Sequence, residues 1–362
     1  MTIDNYTETT RRNSDMTNMS RLVLSAFLII TLIGMDVMDA NAGDDKRRGT
    51  AGATQLLVPL TARSASLGAS MTAGMVGMNG LDAIYANPAG LAINNGTAAI
   101  FSHMDYVADI DVNYFGFAQS FGNNNLAFLV SSWDFGNIPL QTETQPEITS
   151  VTFDATFVTA GLTYARTFTD RISAGFTAKV INESIDDVSA TAVAFDAGMT
   201  YVVGETGLRL GIALKNVGSD IQYSGVGLTR QTRLPNQPPN ATSNSLLIES
   251  EGVELPSLLN VGVSYARQVN DAAVVTVLGN FRSNSFDQDH FSGGLQLGLL
   301  DVFYIRGGVE LVSDQDLTFF NGGNFGAGID LNLQGSHVQF DYAFRSTDFF
   351  DNVNMFTAAI SL

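Results

Sequence analysis

Residues 208–215 read LRLGIALK, and their side chains fall into two sets that alternate along the chain. The apolar set is Leu208, Leu210, Ile212 and Leu214. The small or charged set is Arg209, Gly211, Ala213 and Lys215. Because successive side chains of a β-strand point to opposite faces of the sheet, this stretch predicts a strand with one apolar and one polar face. The same alternation recurs at residues 259–266, 329–334 and 338–345.

The polar face of these strands distinguishes between two all-β architectures. In a soluble β-sandwich the polar face meets water and usually collects Lys, Glu and Thr. Here it consists largely of Gly, Ala and Ser, which suits the lumen of a narrow barrel whose apolar face contacts lipid. We therefore predict an antiparallel transmembrane β-barrel over residues 97–362, with a soluble β-sandwich as the alternative. Leu210, Ile212, Val263 and Phe340 are expected to face lipid.

The connections between the predicted strands alternate in length, as they do in outer-membrane barrels. About six are short, near residues 122–125, 169–171, 204–206, 270–271, 300–301 and 334–336, and about seven are longer. The longest are residues 135–152 and 218–255. This alternation predicts about fourteen strands, with the short turns on the periplasmic side and residues 354–362 as the closing strand.

Composition is consistent with a barrel and excludes several other classes of protein. The chain has 362 residues, of which 35 are glycine and 24 are phenylalanine, as expected for many tight turns and aromatic anchors. Its net charge of −18 argues against binding to nucleic acid, because the protein would repel the phosphate backbone. The absence of cysteine excludes disulfides, thiolate metal sites and cysteine nucleophiles.

The N-terminal segment has the pattern of a signal peptide. Residues 22–35 read LVLSAFLIITLIGM, which has the length of the apolar core of such a peptide, and small residues follow at Ala40 and Ala42. We predict that residues 1–42 are cleaved and that the mature chain is exported to the cell outer membrane. An uncleaved membrane anchor is the weaker alternative, because two aspartates flank the short apolar core.

Residues 43–96 lack the alternation and are predicted to form a small N-terminal helical plug. Small residues and methionines recur there at helical spacing, which suggests short helices packed inside the barrel. Asp82 is expected to cap a helical turn over residues 83–86, and Pro88 is expected to end it, because the residue before proline avoids helical backbone. A surface turn is the alternative for this stretch.

Two motifs of this segment carry a family resemblance. Residues 62–68 read ARSASLG, and after a glycine-rich stretch residues 82–92 read DAIYANPAGLA. This combination resembles the N-terminal signature of the PorV/PorQ family, which is related to the FadL-type outer-membrane barrels with an N-terminal hatch. The motif residues are Asn87, Pro88 and Ala89. The resemblance implies an association with type IX protein secretion, in which the protein binds or carries secreted cargo at the cell surface.

Charged residues alternate onto the predicted lumenal face of the barrel. They are Lys179, Asp196, Arg209, Lys215, Arg306, Glu310, Asp330, Asp341 and Arg345. Buried ions are costly unless they are paired or hydrated, so we expect networks among these residues or with the plug. A lumen of mixed charge argues against a continuous apolar conduit and favours a plugged carrier of protein cargo. The alternative function is a FadL-like transporter of small hydrophobic molecules.

The sequence predicts no enzyme, no metal site and no cofactor. His103, His290 and His337 lie on separate strands or loops without the spacing of metal ligands. Ser292 lies near His290, but two residues do not define a catalytic triad, so an outer-membrane hydrolase is the least favoured function. The expected partners are outer-membrane lipid and proteins bound through the external loops.

Two further groups of residues have alternative interpretations. Gly322, Gly323, Gly326 and Gly328 superficially resemble a phosphate loop, but without a following helix they are better explained as a smooth inner face that lets the plug approach. The acidic pairs Asp109 with Asp111 and Asp314 with Asp316 are expected to be solvated loop charge, with a bridging divalent cation as the alternative.

Overall fold

The computed structural model describes residues 45–141, 151–233, 238, 242–312 and 320–362. The predicted signal peptide, residues 1–42, and the acidic pair Asp314 and Asp316 lie outside these ranges. Within them, no helix is long and apolar enough to cross a membrane.

Fourteen long strands form one closed antiparallel sheet, in agreement with the prediction. They are β1 (Thr97–Asp105), β2 (Asp111–Phe121), β3 (Asn124–Pro139), β4 (Thr152–Thr169), β5 (Ile172–Ile185), β6 (Val188–Val203), β7 (Leu208–Gly218), β11 (Leu258–Asn270), β12 (Ala273–Asn284), β13 (His290–Leu299), β14 (Phe303–Val312), β15 (Phe320–Leu333), β16 (Ser336–Thr347) and β17 (Val353–Ser361). Each pairs with its neighbour along this series, and β1 pairs with β17 to close the barrel.

Three short strands lie within the long connection between β7 and β11. β8 (Tyr223–Ser224) pairs with the start of β6, and β9 (Thr229–Thr232) pairs with β10 (Asn244–Leu247) in a separate two-stranded sheet. This connection therefore carries structure of its own outside the barrel wall.

The strand faces are those that the alternation predicted. Leu210 is 43% exposed and Phe340 is 53% exposed, whereas Ala213 and Asp341 on the other face are buried. The large apolar side chains on the outer wall include Phe101, Phe115, Leu162, Phe176, Val193, Leu210, Ile212, Val263, Leu295, Ile305, Phe325, Phe340 and Phe356. Exposure of so many apolar side chains around the wall is the arrangement expected for contact with lipid.

The six short turns fall where they were predicted, but one expected long connection is wrong. β5 and β6 are joined by two residues only, Asp186 and Asp187. Asp186 has a φ of 50°, in the left-handed region that tight turns require and that aspartate tolerates better than most residues. The strict alternation of short and long connections therefore does not hold at this turn.

The plug consists of short helical segments inside the barrel. α1 (Ala62–Ser66) packs against β14 to β17, and α2 (Gly80–Ile84) is followed by a 3₁₀ segment over Pro88–Ile93 that packs against β3 to β6. The capping prediction is wrong, because Asn79 rather than Asp82 accepts the hydrogen bond from the Leu81 amide. Asp82 instead lies within the first turn of α2, where it pairs with Arg63.

Candidate functional site

Glycines on the lumenal face let the plug backbone approach the barrel wall. They are Gly175, Gly198, Gly211, Gly262, Gly294, Gly308 and Gly326. A Cβ atom at Gly175 would lie 2.4 Å from the carbonyl carbon of Pro88, and one at Gly211 would lie 2.2 Å from the carbonyl oxygen of Thr72. Such contacts are possible only for a residue without a side chain, so the plug and these strands fit through their backbones.

Two of the β15 glycines named in the sequence analysis make room for different neighbours. A Cβ at Gly326 would lie 2.5 Å from the Cβ of Ser66, so this residue admits the plug as predicted. One at Gly328 would lie 2.0 Å from Oδ1 of Asp341 and 2.7 Å from Nη1 of Arg306. Gly328 therefore makes room for charged side chains of the barrel itself.

Asn87 of the Asn-Pro-Ala motif links the plug to β6 and β7. Its Oδ1 accepts a hydrogen bond from the Ala89 amide at 3.0 Å and caps the turn that begins at Pro88, a position where the missing N–H of proline costs nothing. Its Nδ2 donates to the carbonyls of Thr72 at 2.9 Å, Met199 at 3.1 Å and Ile212 at 3.3 Å. The motif is therefore a buried junction between two plug segments and two strands.

An anchor cluster joins the other side of the plug to the wall, and it comprises Arg63, Asp82, Gln296, Arg306 and Asp341. Nη2 of Arg63 lies 3.1 Å from Oδ2 of Asp341, and its Nη1 lies 3.3 Å from Oδ2 of Asp82. Arg306 pairs with Oδ1 of Asp341, and its Nε donates to Gln296 Oε1 at 2.7 Å. Burial raises the pKa of Asp82, and the charge of Arg63 opposes that rise. Two arginines thus neutralise two aspartates in a buried network.

A second cluster surrounds Glu310 near the end of the barrel that carries the longer connections. Glu310 Oε1 lies 2.9 Å from Nδ1 of His290 and 3.7 Å from Nη1 of Arg282. Glu310 Oε2 lies 3.3 Å from Nη2 of Arg345, whose Nε donates to Asn324 Oδ1 at 2.9 Å. His290, considered above beside Ser292 as a catalytic pair, is here one member of a charged network.

A third group lies across the lumen on β5 to β7. Nζ of Lys179 lies 2.8 Å from Oδ1 of Asp196, which also accepts a hydrogen bond from the Asn216 amide at 2.7 Å. Nζ of the buried Lys215 lies 3.9 Å from the centre of the Tyr85 ring of the plug, a cation–π contact. This group therefore combines one ion pair with one lysine that contacts an aromatic ring.

The predicted charged residues thus form separate clusters rather than one network. Asp330 accepts a hydrogen bond from Nε2 of Gln339 at 2.7 Å, near the short-turn end of the barrel. Arg209 lies opposite Ser264 across the β7–β11 pair, and among the described residues it makes no ion pair. The sequence analysis assigned no site to Arg63 and named Asp82 only as a helix cap, although they were the only charged residues in the two plug motifs. A charged residue isolated among small and apolar neighbours was the sequence feature that could have identified both as site residues.

A cavity of about 70 Å³ separates the plug from β2 to β7. Its apolar and aromatic lining consists of Leu56, Leu60, Ile84, Tyr85, Tyr114, Leu129 and Trp133. Gly161, Ser131, Thr159 and Thr177 are small or hydroxyl-bearing lining residues, and Lys179, Asp196 and Lys215 form a charged end. A single buried water needs about 10–15 Å³, so the cavity has room for a compact molecule larger than water. It was not predicted, because its lining comes from many separate strands.

No protein-family model and no curated protein matches the sequence. Among solved structures, the toluene transporter TodX of Pseudomonas putida matches with a TM-score of 0.53 at 11% identity, over 83% of this chain and 96% of that one. The chain has the FadL-type barrel fold. The Ralstonia pickettii toluene transporter TbuX matches with a TM-score of 0.51 at 13% identity, over 83% and 96% of the two chains.

A FadL homologue of Pseudomonas aeruginosa also matches, with a TM-score of 0.50 at 11% identity, over 84% of this chain and 98% of that one. The closed fourteen-strand barrel with its apolar outer wall agrees with the predicted location in the outer membrane. The relation to FadL-type barrels that the plug motif suggested is likewise supported. The similar structures are channels and transporters rather than enzymes.

Proposed function

We propose that this protein is a transporter that admits small hydrophobic molecules through the outer membrane and performs no chemical reaction on them. The observation that carries the proposal is the apolar cavity between the plug and β2 to β7. Ligand pockets are typically concave and mostly apolar, with a few polar groups that orient the ligand. The likeness of the barrel to two toluene transporters supports the same function.

This proposal replaces the cargo carrier that the mixed-charge lumen favoured. Among the lumenal charges, Arg306, Glu310, Asp341 and Arg345 are paired on the β14 to β16 side. On the β2 to β7 side, Tyr114, Leu129 and Trp133 face the plug across a mostly apolar cavity, with Lys179, Asp196 and Lys215 at one end. We propose that the substrate enters this cavity.

The aromatic lining of the cavity favours a ring-shaped substrate. Tyr114 and Trp133 offer aromatic faces and edges, which pack well against another ring. The charged end at Lys179 and Lys215 would orient a polar substituent on the substrate. We therefore propose monoaromatic compounds as the substrate class.

Filling the cavity tests the function. A Cβ at Gly161 would lie 3.5 Å from the side chains of Lys179 and Thr177, so a small side chain fits and a larger one enters the cavity. Gly161→Leu should reduce uptake of radiolabelled toluene by cells at least tenfold. Gly279→Leu makes the same change on the outer wall, where the added Cβ meets Val263 at 3.5 Å, and should leave uptake within twofold.

Both variants should retain the heat-dependent gel mobility of a folded barrel. Equal uptake by cells with and without the wild-type protein would rule out the transporter. Wild-type uptake by a folded Gly161→Leu barrel would show that substrate does not pass through this cavity.

A second candidate function is the type IX secretion role implied by the PorV/PorQ resemblance. The observation that favours it is the β9–β10 sheet, where Leu246 is 42% exposed and Leu247 is 70% exposed outside the barrel wall. A folded cargo protein is too large for this lumen and would bind at its mouth. Replacing residues 230–245 by a short Gly-Ser linker should abolish cargo secretion and leave toluene uptake intact if this role holds. Unchanged cargo secretion in this variant would rule out the type IX secretion role.

A further inference from the structure

Four polar side chains form a square on the outer wall where β1 and β2 end. His103 and Asp105 are two residues apart on β1, and Asn113 and Asp111 are their direct partners on β2. Nε2 of His103 lies 3.1 Å from Oδ1 of Asp105 and 3.9 Å from Oδ1 of Asp111. The ligand atoms of the histidine and the two aspartates all lie within 4.8 Å of one another. Three donors of this kind can surround one metal ion.

The orientation of the His103 ring presents a nitrogen to the two carboxylates. Nδ1 lies 2.9 Å from Oδ1 of Asn113, an acceptor, so Nδ1 donates there and Nε2 faces Oδ1 of Asp105 at 3.1 Å. In the protonated ring Nε2 donates to this carboxylate, and in the neutral ring the carboxylate repels the lone pair on Nε2. A cation at that point removes this repulsion and also that between Asp105 and Asp111, which oppose each other directly across the strands.

From this geometry we infer that His103, Asp105 and Asp111 bind one divalent transition-metal ion of the zinc, cobalt or nickel class. Imidazole together with carboxylates suits these ions, whereas Ca²⁺ and Mg²⁺ prefer oxygen ligands alone. Asn113 acts as a positioning residue, because metal-bound histidines usually donate their second N–H to an oxygen that fixes the ring. The side chains of His103, Asp105 and Asp111 are 39%, 58% and 59% exposed, which leaves room for water as a further ligand.

The sequence analysis predicted no metal, because it looked for histidines spaced along the chain. It also considered Asp111 together with Asp109 as a possible bridge for a cation. The structure instead brings Asp111 to His103 and Asp105 by strand pairing. The site lies next to the outward-facing pair Phe101 and Phe115, at the end of the barrel with the longer connections. Bound metal would fasten β1 to β2 at the outer edge of the lipid-facing wall.

Zinc titration of the full chain tests the site. Protein without a polyhistidine tag, purified in detergent and stripped with chelator, should bind one Zn²⁺ per chain by isothermal titration calorimetry. His103→Ala should lose this binding, and Asp111→Asn should weaken it at least tenfold. His337→Ala is the matched control, since His337 contacts a single carboxylate, that of Asp330 at 3.4 Å, and it should bind zinc as the wild type does.

Two further measurements separate the metal site from general attraction of cations to acidic groups. Asn113→Ala should weaken zinc binding about 10–100-fold while the stoichiometry stays at one. A hundredfold excess of Ca²⁺ should not displace the zinc. The inference is overturned if the wild type binds no zinc, if the folded His103→Ala protein binds it as tightly as the wild type, or if Ca²⁺ competes on equal terms.

Discussion

The two sides of the lumen hold the plug in different ways. On the β14 to β16 side, α1 is fixed by buried ion pairs from Arg63 to the wall and to α2. On the β2 to β7 side, the plug contributes Leu56, Ile84 and Tyr85 to the wall of a cavity. One side therefore uses charge in a tightly packed contact, and the other leaves an apolar space.

The difference shows how one short segment can be held firmly on one side and leave a cavity on the other. Buried ion pairs are lost at high cost when one partner is removed, so the anchor cluster holds α1 in one position. Apolar contacts are not directional, so a small apolar molecule can replace some of the contacts between the plug and the wall. We expect the anchored side to govern stability and the cavity side to govern passage.

The largest expected effect follows from breaking the anchor cluster. Asp341→Ala leaves Arg63 and Arg306 buried without their shared carboxylate, and it should lower the free energy of unfolding by about 3–5 kcal/mol. Urea unfolding in lipid vesicles measures this. Glu254→Ala is the control, because the ion pair between Arg47 and Glu254 is exposed and should contribute less than about 1 kcal/mol. Equal losses in both variants would contradict the role of burial.

On the β2 to β7 side, two alanine substitutions compare a glycine that contacts the plug with a glycine that lines the cavity. A Cβ at Gly198 would lie 2.0 Å from Oδ1 of Asn87, so Gly198→Ala should displace the Asn-Pro-Ala turn and lower stability by about 1–3 kcal/mol. Gly161→Ala meets its neighbours only at 3.5 Å and should change stability by less than about 0.5 kcal/mol. Unfolding curves of the two variants measure these changes in stability. A Gly198→Ala barrel as stable as the wild type would refute the close packing of this glycine against the plug.

The smallest effect concerns an ion pair between the start of the plug and the β12–β13 connection. Burial alone would raise the pKa of Asp287, but the nearby His290 side chain, with Nε2 3.9 Å from Oδ2, and hydrogen bonds from the Gln288 amide and Arg48 hold it at about 2. A lowered pKa stabilises the fold fully above the ordinary value near 3.8, and the contribution is lost as the pH falls towards 2. Because Asp287 is partly exposed, the effect should not exceed about 1 kcal/mol.

Asp287→Asn should therefore be less stable than the wild type at pH 6, and the two should converge as the pH falls from 4 to 2. Chemical unfolding at these pH values provides the measurement. A difference that stays constant down to pH 2 would show that the carboxylate charge is not the cause.

The fold was predictable because a strand reveals its two faces locally. The alternation at residues 208–215 and the tight turns need only neighbouring residues to be recognised. The strict alternation of connection lengths failed at Asp186 and Asp187, where a tight turn stands in place of a long connection. The capping prediction failed at α2, where two nearby polar residues could have provided the cap and Asn79 rather than Asp82 does so.

The candidate site was less predictable because its parts come from distant points of the chain. The alternation placed Arg306 and Asp341 on the lumenal face, but it could not show that Arg63 of the plug, more than two hundred residues earlier, pairs with Asp341. It also could not show that the lumenal charges form separate clusters, or that a mostly apolar cavity lies beside one of them.

The sequence by itself determined the number of strands, the lipid-facing residues, the short turns and the presence of a plug, because each depends on patterns within a few residues. Only the tertiary structure decided which residues meet across the lumen and across the strands: Asn87 with β6 and β7, Arg63 with Asp341, and His103 with Asp111. Strand register and closure of the barrel set these pairings. A shift of one residue in register would turn each side chain to the opposite face, and that register is fixed by the packing of the whole sheet around its plug.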